Sequence, residues 1–209
     1  MLAPVRTVAP ATTPVSLVEA KAHLRVDHED DDTLIEGFIA AATDHLDGWT
    51  GILGRCLVEQ EWRQDFDAFA RGLCLPLGSV ISVTTVTWRN TAGQVSTVEG
   101  IWYSLQIDAG GRYFVRFRDD YAFPGDLYER GAVSVAYKAG YATVPEVPAN
   151  GDDPAIPAKS TVPAALKVAI LLLVGNWYAN RETMVVGATV ESLPFAVDAL
   201  IAPFRRVGV

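Results

Sequence analysis

The spacing of apolar residues changes twice along this chain, and that change of period limits what it can fold into. Leu34, Ile35, Phe38, Ile39, Ala42, Leu46 and Trp49 follow steps of one, three and four, which puts seven apolar side chains on one helical stripe. Between Arg55 and Tyr141 the period drops to two. Leu57 to Trp62 alternates, Val80 to Trp88 is rich in Val and Thr, Tyr113 to Phe117 alternates again, and Val133, Val135 and Tyr137 close the series. Turn residues at 90–93, 108–111 and 123–126 separate these runs. After Pro163 the helical period returns with Leu166, Ala169, Ile170, Leu173 and Trp177. The expected fold is therefore α+β. Residues 16–54 and 163–209 make a helical domain from both chain ends, and an antiparallel β-sandwich-like domain, 55–141, is inserted between them.

Local signals sharpen the boundaries. Residues 1–15 carry Pro4, Pro10 and Pro14 and predict an extended N-terminal arm. Ser16 followed by Glu19 is a capping box, predicting a short helix from Leu17 to about Leu24. Gly51 is the expected stop of the second helix. Residues 142–162 hold Pro145, Pro148, Pro154 and Pro157 and read as a proline-rich linker. In the helix after Pro163, Val168, Leu171, Leu172 and Val174 make the remaining faces apolar too, so this helix calls for burial on several sides. A last helix is predicted from near Ser192, with Leu193, Val197, Leu200 and Ile201 as its apolar positions. Pro203 should end or kink it, leaving Phe204 to Val209 as a tail.

Composition excludes several classes. The chain has 209 residues, 25 acidic against 17 basic, a net charge of −8, and half its residues are hydrophobic. That apolar fraction excludes a wholly disordered chain. The acidic balance argues against a protein that grips nucleic acid by neutralising phosphates. Cys56 and Cys74 cannot make a disulfide framework or a Cys-x-x-Cys site, which leaves at most one cross-strand bridge. The first fourteen residues lack the apolar core of a signal peptide, and the longest apolar run, Val168 to Val174, is far short of the roughly 20 residues a bilayer needs. The expectation is a soluble chain made in a reducing cytoplasm, with no membrane partner.

The side chains that carry chemistry offer little. Asp27, Glu29, Asp30, Asp31 and Asp32 place five acids in six positions. Read as a calcium loop, this run fails at its sixth position, Asp32 in place of Gly, and at its twelfth, Phe38 in place of a bidentate Glu. Acids before a helix N-terminus are favoured by the macrodipole, which accounts for them without a metal. His23, His28 and His45 make no zinc-protease pattern, and no nucleophile elbow, Walker loop or dinucleotide fingerprint occurs. Glu59 with Glu61, and Asp65 with Asp67, are spaced to share a strand face, as paired acid–base carboxylates would be, but also as the wet face of any half-buried strand. Trp62, Trp88, Trp102 and Tyr103 could form a sugar-stacking platform, giving the alternative of a glycan-binding β module flanked by helices. No catalytic residue, cofactor or metal is expected.

The order of segments resembles a known family. Val15 to Asp27 with Asp31 to Ile35, then Thr50-Gly51, Gln60-Glu61-Trp62, Leu75-Pro76, Val80 to Val86, Val133 to Tyr137 and Ala139-Gly140-Tyr141 are similar to head–tail connector proteins of tailed bacteriophages and gene transfer agents, also called adaptor or head-completion proteins. The likeness is clearest in Val162 to Lys167, Asn176 to Glu182, Leu193-Pro194 and Ala202 to Arg205. The proline-rich stretch and Gly187 to Glu191 depart from it. The resemblance implies a structural subunit of a virion or phage-like particle, assembled in the bacterial host cytoplasm and incorporated at the head–tail interface. It implies a homo-oligomeric ring of about twelve copies under the portal protein, with the helical domain forming the ring. The ring would extend the DNA channel and hold the next connector, stopper or tail protein. It also implies portal docking by the C-terminal segment, here Leu200, Ile201, Phe204, Arg205 and Arg206. Twelve copies would carry about −96 charges, so packaged DNA would pass without specific binding, and the acids at 27 and 29–32 are candidates for the channel wall or for assembly.

Overall fold

The computed structural model describes residues 1–144, 159–180 and 195–206. The chain divides into two units, Met1–Ala11 with Val58–Ala142, and Thr12–Leu57 with Thr143–Val209. The first unit is all β apart from one 3-10 turn. Its strands are β1 (Val5–Val8), β2 (Gln60–Phe66), β3 (Gly72–Leu75), β4 (Val80–Arg89), β5 (Val95–Val98), β6 (Tyr103–Ile107), β7 (Tyr113–Phe117) and β8 (Val133–Ala139). They form two antiparallel sheets, ordered β1-β2-β8-β4-β5 and β3-β7-β6. Alternation decides which face is buried. On β2 the buried positions are Gln60, Trp62, Gln64 and Phe66, and across the ladder they meet Ala139, Tyr137, Val135 and Val133 of β8, all buried.

β2 begins later and runs further than the alternation from Leu57 to Trp62 suggests. Glutamine at two of its core positions hides the pattern from a reading based on apolar residues alone. The N-terminal arm is not a separate element. Its Val5–Val8 add to the edge of β2, while the Leu2 N–H donates to the Asp65 carbonyl and the Leu2 carbonyl accepts from Gln64 Nε2. All four β1 side chains are exposed, so the strand shows no apolar alternation in sequence. The turns behave as their residues dictate. Gly93 and Gly111 take positive φ in the β4–β5 and β6–β7 hairpins, and Asp108 accepts from the Gly110 and Arg112 N–H groups.

The second unit holds α1 (Leu17–Leu24), α2 (Asp32–Leu46), a short ladder of β9 (Thr143–Val144) with β10 (Lys159–Ser160), α3 (Ala164–Ala179) and α4 (Phe195–Ile201), followed by a 3-10 turn over Ala202–Phe204. Its core joins Ile35, Ile39, Ala42 and Leu46 of α2 to Leu166, Ala169, Ile170, Leu173 and Val174 of α3, with Val197 and Ile201 of α4. Each of its Ile, Leu and Val side chains contributes about 1.5–3 kcal/mol when fully buried. Helix α2 stops at Leu46, five residues before Gly51, because Asp47 turns to extended backbone and its carboxylate takes the Leu57 N–H at 2.5 Å. Trp49 therefore leaves the helical stripe and lies 46% exposed. Most of the expected linker, the expected helix start at Ser192, the stretch Gly187 to Glu191 and Val207 to Val209 lie outside the described residues.

Gly140 shows where backbone freedom is needed. It has φ +121°, and a Cβ there would overlap the Val58 carbonyl, beside the parallel bridge of Val58 to Tyr141. Gly140→Ala should lower unfolding stability by about 2–3 kcal/mol, read as a fall in the denaturation midpoint; an unchanged midpoint would contradict this tight crossing.

Candidate functional site

The acidic run sits between α1 and α2, and the helical unit disposes its members in two ways. Helix α1 opens on the complete capping box. The Glu19 N–H donates to Ser16 Oγ at 3.2 Å and the Ser16 N–H to Glu19 Oε2 at 2.8 Å. It closes on Arg25 in the left-handed region, φ 59°, which turns the chain into the run. Asp32 then takes Lys21 Nζ at 2.6 Å, and Asp31 accepts the Tyr178 hydroxyl of α3. Two of the five acids therefore tie α1, α2 and α3 together. Asp27, Glu29 and Asp30 stay exposed, with His28 the only ion-pair partner of Asp30 among the described residues, at 3.9 Å. Asp31 occupies the N-cap of α2 without a side-chain cap bond, so its tertiary partner replaces the local one. Among the described residues, no three His, Cys, Asp or Glu converge as metal ligands.

A third tie crosses from α1 to α3, where Lys167 Nζ reaches Glu19 Oε1 at 3.2 Å. Burial alone would raise the Glu19 carboxyl. The Ser16 N–H, the Lys167 ammonium and the Ser16 hydroxyl overcome it and hold the group below its ordinary 4.5. Gly175 of α3 faces the end of α1, where a Cβ would come into contact with His23 Nε2 at 3.4 Å. His23 thus packs at the end of α1, as a helix-end residue would.

The C-terminal residues singled out in the sequence are unequal. Ile201 is fully buried and anchors α4, so it has no free surface to offer. Leu200 and Phe204 are half-buried. Arg205 pairs with Asp198 at 2.7 Å, and the Arg206 N–H donates to the Leu53 carbonyl at 3.0 Å. Arg205 and Arg206, within the tail expected from Phe204 to Val209, are therefore bonded to the unit. The most exposed aromatic is one the sequence reading missed: Phe195, at the start of α4, is 88% exposed. Nothing in its local spacing sets it apart from the buried Val197.

The carboxylate pairs of the β unit are ordinary surface partners. Lys138 lies 3.0 Å from Glu59 and 3.9 Å from Glu61, and its ammonium is held above the usual lysine value by the Glu59 hydrogen bond. Asp65 takes Ser134 Oγ and Arg63, and Asp67 takes the Gly131 N–H. The tryptophans form no single platform. Trp62 is buried in the five-stranded sheet and Trp88 is half-buried in the same sheet. Trp102 leans on Tyr121 at 5.4 Å beside the other sheet, within a cluster of Phe69, Phe117 and Phe123. Trp62 is taken by the core, while Trp102 and Tyr103 are half-buried. Cys56 and Cys74 are not disulfide-bonded.

The two units also differ in charge. The β unit has nine basic and ten acidic residues, net −1, whereas the helical unit has eight and fifteen, net −7. The profile of the phage gp6-like head–tail connector protein family matches residues 14–69 and 138–205, more than half the chain and nearly all of this acidic helical unit. The chain belongs to that head–tail connector family. No curated protein matches it significantly. Among solved structures, this connector is similar to a chain from the neck of an empty gene transfer agent (GTA) particle computed with C6 symmetry. The TM-score is 0.72 at 22% identity, covering 100% of this chain and 97% of that one. A chain from the virion of a native GTA particle gives the same figures. A chain from the neck of a native GTA particle computed with C12 symmetry gives 0.55 at 19% identity, with 97% of each chain covered. At these identities the likeness is one of fold, and it extends through residues 70–137, which the family profile leaves out.

The Glu19 tie gives the connector a pH dependence of known sign. A carboxyl depressed in the folded state adds stability that is present above its unfolded value, near 4.5, and lost as pH falls through the lower folded value. Wild type should therefore lose more thermal stability than Glu19→Gln between about pH 6 and pH 3. Parallel curves for the two proteins would remove the tie as a contributor.

Proposed function

We propose that this connector forms a ring of about twelve copies beneath the portal of a phage or gene transfer agent particle, where it extends the DNA channel and holds the tail-side components. The family match over both helical segments carries this reading. The fold shared with chains of GTA necks, one of them computed with C12 symmetry, supports it. The physics is compatible. Helix α3 leaves Val168 42% exposed, with Leu171 and Leu172 half-buried, apolar surface that a neighbouring copy would cover. The net −7 of the helical unit suits a channel wall, because a negative lining does not hold passing phosphates. Asp27, Glu29 and Asp30 are the exposed members of the acidic run available for that wall or for assembly.

Portal docking falls, in this reading, to the exposed side of the C-terminal segment. Leu200, Phe204, Arg205 and Arg206 keep that role, joined by Phe195, while Ile201 holds α4 in place beneath them. Particles made without this connector should contain filled heads that lack tails, and purified connector should bind heads that carry portals. Phe195→Ala with Arg205→Ala should weaken portal binding about tenfold or more while leaving the circular dichroism and melting point unchanged, as expected of exposed contact residues. Truncation after Ala202 should abolish binding. Normal tailed particles without the connector would overturn the function, and full binding by both variants would overturn the docking assignment alone.

A further inference from the structure

The outward face of the five-stranded sheet carries a cleft of about 350 Å³ that the reading above does not use. Its floor is the cross-strand row Asp65, Ser134 and Thr87, contributed by β2, β8 and β4. Three guanidiniums surround it. Arg63 is neutralised by Asp65 at 3.1 Å, and the Ser134 hydroxyl occupies a further position on the same carboxylate. Arg89 lies 3.7 Å over the Tyr128 ring and donates to the Arg130 carbonyl, so its partners carry no charge. Arg130 is exposed and makes no ion pair among the described residues. The cleft thus keeps two uncompensated positive charges on a rim fixed by backbone bonds, Arg89 N–H to the Ala132 carbonyl and Tyr128 N–H to the Arg89 carbonyl. Such a site takes carboxylates, and the two guanidiniums suit a chain segment with acids at neighbouring positions.

The helical unit carries such a segment. Asp27, Glu29 and Asp30 are exposed and face no Lys or Arg partner among the described residues, while Asp31 and Asp32 hold the loop in shape from behind. A closed ring of identical subunits with head-to-tail contacts requires two different, complementary patches on one chain. We propose that the arginine cleft of one copy receives the acidic α1–α2 loop of the next copy around the ring, so that opposite charges set the register between neighbours. This rests on the ring reading above and names one of its contacts. It predicts assembly that weakens with salt, since exposed charge pairs are screened over about 8 Å at physiological ionic strength.

The test uses full-length chain with exposed Cys74 replaced by Ser. One protein carries Arg130→Cys and a second Asp30→Cys, and the two are mixed and treated with a short bismaleimide. Covalent dimers should form in the mixture and not in either protein alone. Separately, Arg89→Glu with Arg130→Glu should raise the concentration needed for rings, seen by native mass spectrometry and electron microscopy, at least tenfold. Adding Asp27→Lys, Glu29→Lys and Asp30→Lys should restore rings, which a merely misfolded variant would not do. Rings that form normally in the charge-reversed protein, with no mixed cross-link, would overturn the contact and leave the ring intact. Wild-type chain that makes no ring, alone or on portals, would overturn the ring reading and the contact with it. Duplex DNA held by the cleft and released by the Arg variants, with rings unchanged, would assign the cleft to nucleic acid and overturn the proposal.

Discussion

The helical unit depends on the packing of α2 against α3, two helices separated in sequence by the whole β unit. Ile35, Ile39, Ala42 and Leu46 meet Leu166, Ala169, Ile170, Leu173 and Val174 in a shared core, and Phe38 faces Trp177 at 6.4 Å between ring centroids. Polar ties fix the register of that packing at its edge. Tyr178 reaches Asp31 and Lys167 reaches Glu19 across 147 and 148 residues of chain. Short helix α1 buries only Ala20 of its own, so it is held by the Lys167–Glu19 tie and by the Lys21–Asp32 ion pair to α2. Helix α4, with only seven residues, is seated by Val197 and Ile201. Without the α2–α3 contact, neither short helix would have a surface to fold on.

Much of this was legible in the residues. The capping box at Ser16 and Glu19, the stripe from Leu34 to Leu46, the runs at Val80 and Tyr113 and the apolar α3 all carry strong local signals, and each forms where its period places it. What escaped was decided by partners elsewhere in the chain. β1 exposes every side chain and exists because β2 offers it an edge. β3, β5 and β6 are four or five residues long and take their places from the ladders they join, β3 and β6 on either side of β7 and β5 beside β4. Helix α2 ends early because the Asp47 carboxylate finds the Leu57 N–H, a contact that periodicity does not contain.

The candidate sites were less legible than the fold. Five neighbouring acids look alike in sequence, yet Tyr178 and Lys21 take Asp31 and Asp32 and leave three exposed. The C-terminal residues divide likewise, since burial of Ile201 and exposure of Phe195 follow from which side of α4 faces α3. Charge divides by unit rather than by segment, and the division already holds for residues 55–141 of the sequence, with nine basic and ten acidic side chains. A nearly neutral β unit and a strongly acidic helical unit let a single chain carry an arginine cleft and an acidic loop without either quenching the other's sign.

The insertion of one unit within the other has a consequence for how the protein is made. During synthesis α1 and α2 leave the ribosome well before α3, and their apolar stripe has no partner until α3 emerges more than a hundred residues later. The β unit can close in that interval, since β2 to β8 are contiguous in sequence and β1 needs only the edge of β2. At about 5–20 residues per second, α2 waits roughly 6 to 24 seconds with its hydrophobic face unsatisfied. The cap on α1 and the three exposed acids after it place charged groups next to the apolar stripe of this waiting segment.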